Sequence, residues 1–72
     1  MSKEEIMYLL HVDLREQSAL VRTGYYQRVK HIIEKCSNDG KFLIQSEVFL
    51  HNILLYFRKP GSDIVYMENV TI

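Results

Sequence analysis

Residues 47–58 read EVFLHNILLYFR, the most apolar stretch of the chain. As a helix, this stretch would be apolar over most of its circumference and would leave only a narrow polar edge. Its Val, Phe, Ile and Tyr residues also favour strands, and short apolar runs are ambiguous between the two structures. The length of the run, the capping signal Ser46-Glu47 and the stop signal Lys59-Pro60-Gly61 favour a helix. The sequence therefore predicts an apolar third helix over 47–58.

Upstream of this run, residues 14–36 carry a long periodic pattern. Apolar or small residues recur every three or four positions, which keeps them on one side of a helix: Leu14, Ser18, Val21, Tyr25, Val29, Ile32 and Cys36. Asp13 provides an N-cap, and the residues from Ser37 to Gly40 are typical of a helix end.

Gly24 is the weak point of this long segment, because glycine costs about 1 kcal/mol relative to alanine inside a helix. Two explanations compete. Another backbone approaches closely at Gly24, or the helix breaks at Thr23-Gly24. The apolar stripe keeps its phase across Gly24, so we predict one continuous central helix over 14–36.

The two ends of the chain carry weaker signals. The sequence Ser2-Lys3-Glu4-Glu5 has the form of a capping box and predicts a short N-terminal helix that breaks near Val12. Residues 41–44 predict a short strand or an extended lead-in, and residues 63–72 are rich in strand formers. The tail is expected to pair with 42–45 or with the same tail of a second subunit, or to form a small hairpin turning at Glu68-Asn69. The fold class predicted is mainly α with minor β structure, in a single small domain spanning 1–72.

Composition indicates a chain that needs a partner. The 72 residues include nine basic and nine acidic side chains and one cysteine. A domain this small is often marginally stable alone. One cysteine cannot form an intrachain disulfide and the sequence shows no metal-binding cluster, so we expect oligomerisation to stabilise the fold. We expect a homodimer whose interface, or whose contact with another protein, includes residues of the apolar run: Phe49, Leu50, Ile53, Leu54, Tyr56 and Phe57.

The sequence shows no motif for catalysis, metal binding or phosphate binding. The histidines at 11, 31 and 51 are isolated, without the short spacings that zinc sites use, and Cys36 lies on the apolar stripe. The three glycines lack a phosphate-binding spacing. We therefore predict no enzymatic activity, no metal and no cofactor. No secretory leader or membrane-length apolar run is present, which favours a cytoplasmic protein.

Two classes of function remain. The preferred prediction is a small regulatory or inhibitory protein that acts through protein–protein contacts, a kind that bacteriophages often encode. The alternative is a nucleic-acid-binding regulator that uses the basic face of the 14–36 segment: Arg22, Arg28, Lys30, His31, Lys35 and Lys41. Against the alternative, Glu34 interrupts the basic stretch and the net charge is zero.

Overall fold

The computed structural model describes residues 2–71, which form three helices followed by three strands. Their bounds are α1 (Lys3–Leu9), α2 (Leu14–Arg22), α3 (Tyr25–Asn38), β1 (Phe42–Val48), β2 (Asn52–Arg58) and β3 (Val65–Thr71). The strands make one antiparallel sheet in the order β1-β2-β3. This is an α+β fold, so the prediction of a mainly helical chain with minor β structure is wrong.

The predicted third helix is also wrong, because residues 47–58 contain the end of β1, a turn and the whole of β2. Along β2, Ile53, Leu55 and Phe57 are fully buried while the residues between them are only half-buried. That two-residue alternation is the period of a strand. The run resembled an all-apolar helix because the central strand has apolar residues on both of its faces.

The long central helix is interrupted at the joint that the sequence left open. Gly24 has φ +83° and separates α2 from α3. Both the backbone N–H and the hydroxyl of Thr23 donate to the carbonyl of Ala19, at 3.0 and 2.7 Å, which closes the end of α2. A Cβ at Gly24 would have no atom within 4 Å, so close backbone approach does not explain this glycine. Its left-handed conformation does.

Two of the three predicted helix caps, at Ser2 and Asp13, are confirmed, whereas Ser46 lies inside β1. The hydroxyl of Ser2 accepts from the N–H of Glu5 at 3.2 Å, and the carboxylate of Asp13 accepts from the N–H of Glu16 at 2.8 Å. Between these helices the chain turns through His11, whose φ of +56° is left-handed. The break predicted near Val12 is therefore present.

The predicted strand in the tail exists, but its partner differs from the one expected. β3 pairs with β2 over its full length, from Thr71 opposite Asn52 to Val65 opposite Arg58. Pairing with 42–45 and a hairpin at Glu68-Asn69 are both wrong. The error follows from the assignment of 47–58 as a helix. That assignment removed β2 from the possible partners, and β2 is the strand that the tail pairs with.

The helices cover one face of the sheet, here called the inner face, and the core lies between the two layers. The buried core contains residues from every helix and from β2 and β3: Ile6, Met7, Leu10, Val12, Leu20, Tyr25, Tyr26, Val29, Ile33, Cys36, Ile53, Leu55, Phe57 and Val70. The hydroxyl of Ser46 on β1 donates to the carbonyl of Leu9 at 2.8 Å and fixes α1 to the sheet. None of the helices described is both long and apolar enough to cross a membrane.

Candidate interaction surfaces

The sheet face that the helices leave uncovered is here called the outer sheet face. Its side chains come from alternate positions of all three strands: Phe42, Gln45, Glu47, Asn52, Leu54, Tyr56, Arg58, Val65, Met67, Asn69 and Thr71. Phe42, Val65 and Met67 are 41, 53 and 56 % exposed. Antiparallel sheets often have one solvated face, but that face is normally polar. The apolar residues here make the face a candidate contact surface.

Strand register arranges this face in three rows that cross the sheet. The first row is Glu47–Leu54–Asn69, the second is Gln45–Tyr56–Met67, and the third is Phe42–Arg58–Val65. Successive rows are two residues, or about 7 Å, apart along β2 and β3, and a bulge in β1 adds one residue between Phe42 and Gln45. An acidic residue therefore lies on one side of the Tyr56 row and a basic residue on the other.

Two side-chain contacts hold the charged groups of this face in place. The guanidinium carbon of Arg58 lies 5.7 Å from the centre of the Phe42 ring, which turns the charge towards β1. The hydroxyl of Tyr56 donates to a carboxylate oxygen of Glu47 at 2.6 Å. This hydrogen bond, more than burial, raises the pKa of Tyr56 above its ordinary value of 10.0.

A β-bulge in β1 explains how this arrangement arises. The register of β1 against β2 shifts between Leu43 and Gln45, so Ile44 is the extra residue. Leu43 packs against the core opposite Phe57, while Gln45 lies opposite Tyr56. In a regular strand Gln45, two positions after Leu43, would point to the same face as Leu43, and the bulge moves it to the outer sheet face.

The residues predicted for an interface are divided by the fold. Leu54 and Tyr56 are half-buried on the outer sheet face, whereas Ile53 and Phe57 are fully buried in the core. Phe49 and Leu50 lie in the β1–β2 turn and are exposed. Sequence reasoning missed the apolar residues that flank the face from the neighbouring strands: Phe42, Val65 and Met67. No regular alternation of apolar and polar residues marks these strands in the sequence, because β1 contains a bulge and β3 has two adjacent polar residues, Glu68 and Asn69.

The six basic residues of the nucleic-acid hypothesis do not form one surface. Arg28 and His31 line a groove between α3 and β3, and Lys35 follows one turn later on the same side of the helix. Lys30 is about 200° around the helix from Arg28. Arg22 is in the last turn of α2, and the ammonium of Lys41 lies 4.2 Å from the centre of the Tyr66 ring. Of the six basic residues, Arg28, His31 and Lys35 therefore lie together.

This groove, here called the α3–β3 groove, has a volume of about 440 Å³. One wall is the helix, with Gln27, Arg28, His31 and Ile32, and the other is the end of β3, with Asn69, Val70 and Thr71. Arg28 donates a hydrogen bond to the carbonyl of Thr71 across the groove. Its lining is apolar at the base and basic on the helix side.

A smaller cleft lies between α2 and the β1–β2 turn. It encloses about 260 Å³ and is lined mainly by apolar side chains, including Leu20, Tyr25, Val48 and Leu50. Tyr25 is 6 % exposed, and its hydroxyl has no hydrogen-bond partner within residues 2–71. A residue that lines this cleft therefore carries a buried polar atom that the described fold does not satisfy.

Cys36 and the histidines show no metal-binding arrangement. Within the described part of the chain, no three His, Cys, Asp or Glu side chains come together in a way that could hold a metal ion. Cys36 is buried, and its desolvation, followed by the charge of Glu68, raises the pKa of the thiol above 9.0. A raised thiol pKa makes the nucleophilic thiolate scarcer at neutral pH.

Comparison of the chain with protein-family models, with curated proteins and with solved structures gave no match. Function is therefore inferred from the two surfaces, the outer sheet face and the α3–β3 groove.

Proposed function

We propose that this chain is a non-enzymatic regulatory protein of the cytoplasm that forms a homodimer through its outer sheet face and acts by binding another protein. The observation that carries the proposal is the apolar centre of that face. Leu54, Tyr56 and Met67 lie side by side there, while the helices cover only the opposite face. Covering these apolar side chains stabilises the folded chain by roughly 25 cal/mol for each Å² of apolar surface removed from water.

The charges of the outer sheet face favour a second copy of the chain as the occupant. A two-fold axis that runs across the strands at the Tyr56 row places the Arg58 row of one copy over the Glu47 row of the other. Because Arg58 leans over the Phe42 ring towards β1, its guanidinium faces Glu47 of the second copy. The symmetry makes this contact twice, and it brings Tyr56 and Met67 against their own counterparts.

Chain size supports the same occupant. A domain of 72 residues buries a modest fraction of its surface, and its one cysteine cannot form an intrachain disulfide. Stacking two three-stranded sheets at about 10 Å would build a second apolar layer on the far side of β2. The dimer would then have two sheets inside and the helices on both outer sides.

Charge reversal tests the dimer. Glu47→Arg and Arg58→Glu should each weaken dimerisation at least tenfold, because each substitution places like charges opposite one another twice. The double variant, with both substitutions, should recover dimerisation because it restores opposite charges in swapped positions. Sedimentation equilibrium over a range of protein concentrations measures the dissociation constants.

Lys59→Glu is the matched control, since it changes the net charge by the same amount as Arg58→Glu at an exposed position outside the outer sheet face. It should leave dimerisation unchanged. A wild-type chain that sediments as a monomer at about 100 μM, a concentration at which even a weak dimer is populated, would refute the proposal. So would a double variant that dimerises no better than the two single variants.

A further inference from the structure

We propose that the α3–β3 groove binds an extended acidic segment of a partner protein, which adds to the free edge of β3 as a fourth strand. The inference deepens the proposed function, since it rests on the chain acting by binding another protein, and it specifies the chemistry of that partner. It uses the edge of β3 and not the centre of the outer sheet face, although Asn69 and Thr71 belong to both surfaces.

The free edge of β3 is the first element of this site. β3 pairs with β2 along one side over seven residues, and no described residue pairs with its other side. An edge strand presents a row of N–H and C=O groups that can pair with another extended chain. Addition of a strand to such an edge is a recurring mode of peptide recognition.

The two edges of the sheet are not equivalent. β1 contains the bulge at Ile44, which interrupts the even spacing of its backbone groups. The register of β3 is unbroken from Val65 to Thr71. Only the β3 edge therefore has a regular ladder for an incoming strand.

The groove supplies side-chain contacts for the strand that would be added. Ile32 and Val70 give it an apolar base, and Arg28 and His31 line the helix side. Lys35 extends this basic side by one helical turn, and none of the described residues that line the groove is acidic. The acidic side chain of β3, Glu68, lies on the inner face opposite Leu55 and therefore faces α3, where desolvation and then its charge raise the pKa of Cys36, but it does not line the groove.

Arg28 already shows that the groove can bind backbone oxygen. Its guanidinium donates to the carbonyl of Thr71, at the end of the free edge. Because a guanidinium has five N–H donors, Arg28 can keep this bond and also bind a carboxylate. From Arg28 to Lys35 the helix rises about 10 Å, close to the length of three strand residues. Two glutamates on one side of an added strand are two positions, or about 7 Å, apart, and the length of their side chains lets them reach both basic groups.

A designed peptide tests the proposal directly. The probe is the blocked seven-residue peptide Ac-TVEVEVT-NH2 with a fluorescent label, and fluorescence anisotropy measures its binding to the wild-type chain. The double variant Arg28→Glu/Lys35→Glu should bind at least tenfold more weakly, and the single variant Lys35→Glu should show a smaller loss. Lys59→Glu is the control for net charge and should bind as the wild type does.

Two peptide controls use the unmodified protein, so that they do not depend on how a variant folds. Methylation of alternate backbone nitrogens on the edge that faces β3 should abolish binding, because it removes the strand hydrogen bonds and leaves the glutamates in place. Replacement of both glutamates by lysine should also abolish binding. Equal binding of the methylated peptide or of the lysine peptide would overturn the proposal.

A ten-nucleotide thymidine strand tests the competing ligand class. If it binds with a steep loss between 50 and 200 mM salt and the acidic peptide does not bind, the groove is a nucleic-acid site and the proposal fails. Arg58→Glu separates this inference from the proposed dimer. That variant should be monomeric and still bind the peptide, so loss of the dimer and loss of peptide binding are distinct results.

Discussion

Gly24 sets the angle between two helices through a single backbone conformation. Its φ of +83° is in the left-handed region, and no neighbouring atom would touch an added Cβ. Any effect of substitution there is therefore a backbone effect and not a packing effect.

Gly24→Ala should consequently lower the free energy of unfolding by about 1–2 kcal/mol, the cost of left-handed backbone for an ordinary residue. Gly24→Asn should lose less, because asparagine tolerates this conformation better than alanine does. Urea denaturation followed by circular dichroism measures both. Equal stability of the alanine variant and the wild type would mean that α2 and α3 need no left-handed joint.

The hydroxyl of Tyr25 gives a prediction of opposite sign. The group is buried without a hydrogen-bond partner in residues 2–71, on a side chain that lines the cleft beside α2. Leaving a buried polar group unpaired costs about 1–3 kcal/mol, so Tyr25→Phe should be neutral or should raise the free energy of unfolding by up to about that amount. Tyr56→Phe is the comparison, because it removes a hydroxyl that does donate, to Glu47. A large loss of stability in Tyr25→Phe would show that its hydroxyl is bound after all.

Stability at alkaline pH depends on Tyr56. The hydrogen bond to Glu47 raises the pKa of the phenol above 10.0, so the folded chain favours the neutral form. The corresponding stabilisation is complete below pH 10, the pKa of the unfolded chain, and is lost as the pH rises through the higher folded value. The wild-type chain should therefore lose more stability between pH 9 and 11 than Tyr56→Phe does, in urea melts at each pH. Parallel losses would contradict the assignment.

At the scale of single residues, the sequence predicts the features that depend only on residues a few positions away. The caps at Ser2 and Asp13 depend on residues three positions away, and both were predicted. The break at Gly24 was not, because a two-residue joint can preserve the phase of an apolar stripe while redirecting the helix. Periodicity alone does not distinguish one long helix from two short ones that share that phase.

At the scale of elements, β2 determines the architecture because it lies between the other two strands and has apolar side chains on both faces. Leu54 and Leu55 are adjacent, yet one lies on the outer sheet face and the other in the core. The strand therefore contains a matched pair of leucines for testing its orientation.

Leu55→Ala should lower the free energy of unfolding by about 2–5 kcal/mol, the usual cost of replacing a buried leucine by alanine. Leu54→Ala should lower it clearly less in the monomer. Measuring both in the Arg58→Glu background, where the proposed dimer is absent, keeps the comparison to the folded monomer. If Leu54→Ala were the more destabilising variant, the inner and outer faces of β2 would be reversed.

The failure to recognise β2 has a physical reason. A strand with one solvated face typically shows alternating apolar and polar residues. β3 was recognised on other signals, its content of strand formers and the Pro60-Gly61 turn before it. A central strand buried on one face and apolar on the other loses that alternation. The partner of β3 could then not be predicted, since pairing is a relation between two strands.

At the scale of the whole molecule, the proposed dimer makes stability depend on protein concentration. The midpoint of thermal unfolding should rise by several degrees over a hundredfold increase in concentration, because association favours the folded state by mass action. Arg58→Glu should show no such rise. Differential scanning calorimetry of both proteins measures the effect, and a midpoint independent of concentration in the wild type would count against the dimer.

Neither the outer sheet face nor the α3–β3 groove could be predicted from the sequence. The basic residues of α3 were grouped correctly as Arg28, His31 and Lys35, because helical spacing is local. What lies opposite them depends on where β3 packs, and that is set by contacts between residues some forty positions apart.

The order of the elements also bears on how the chain is made. All three helices precede all three strands, so synthesis delivers the helices first. Their apolar sides, with Ile6 and Val29 fully buried in the finished fold, have no sheet to cover them until β2 has left the ribosome. The strands then join as consecutive hairpins, which need no long crossover. A fragment released with its end just before Asn52 would therefore expose this apolar side, and such a fragment should bind a chaperone more than the full chain does.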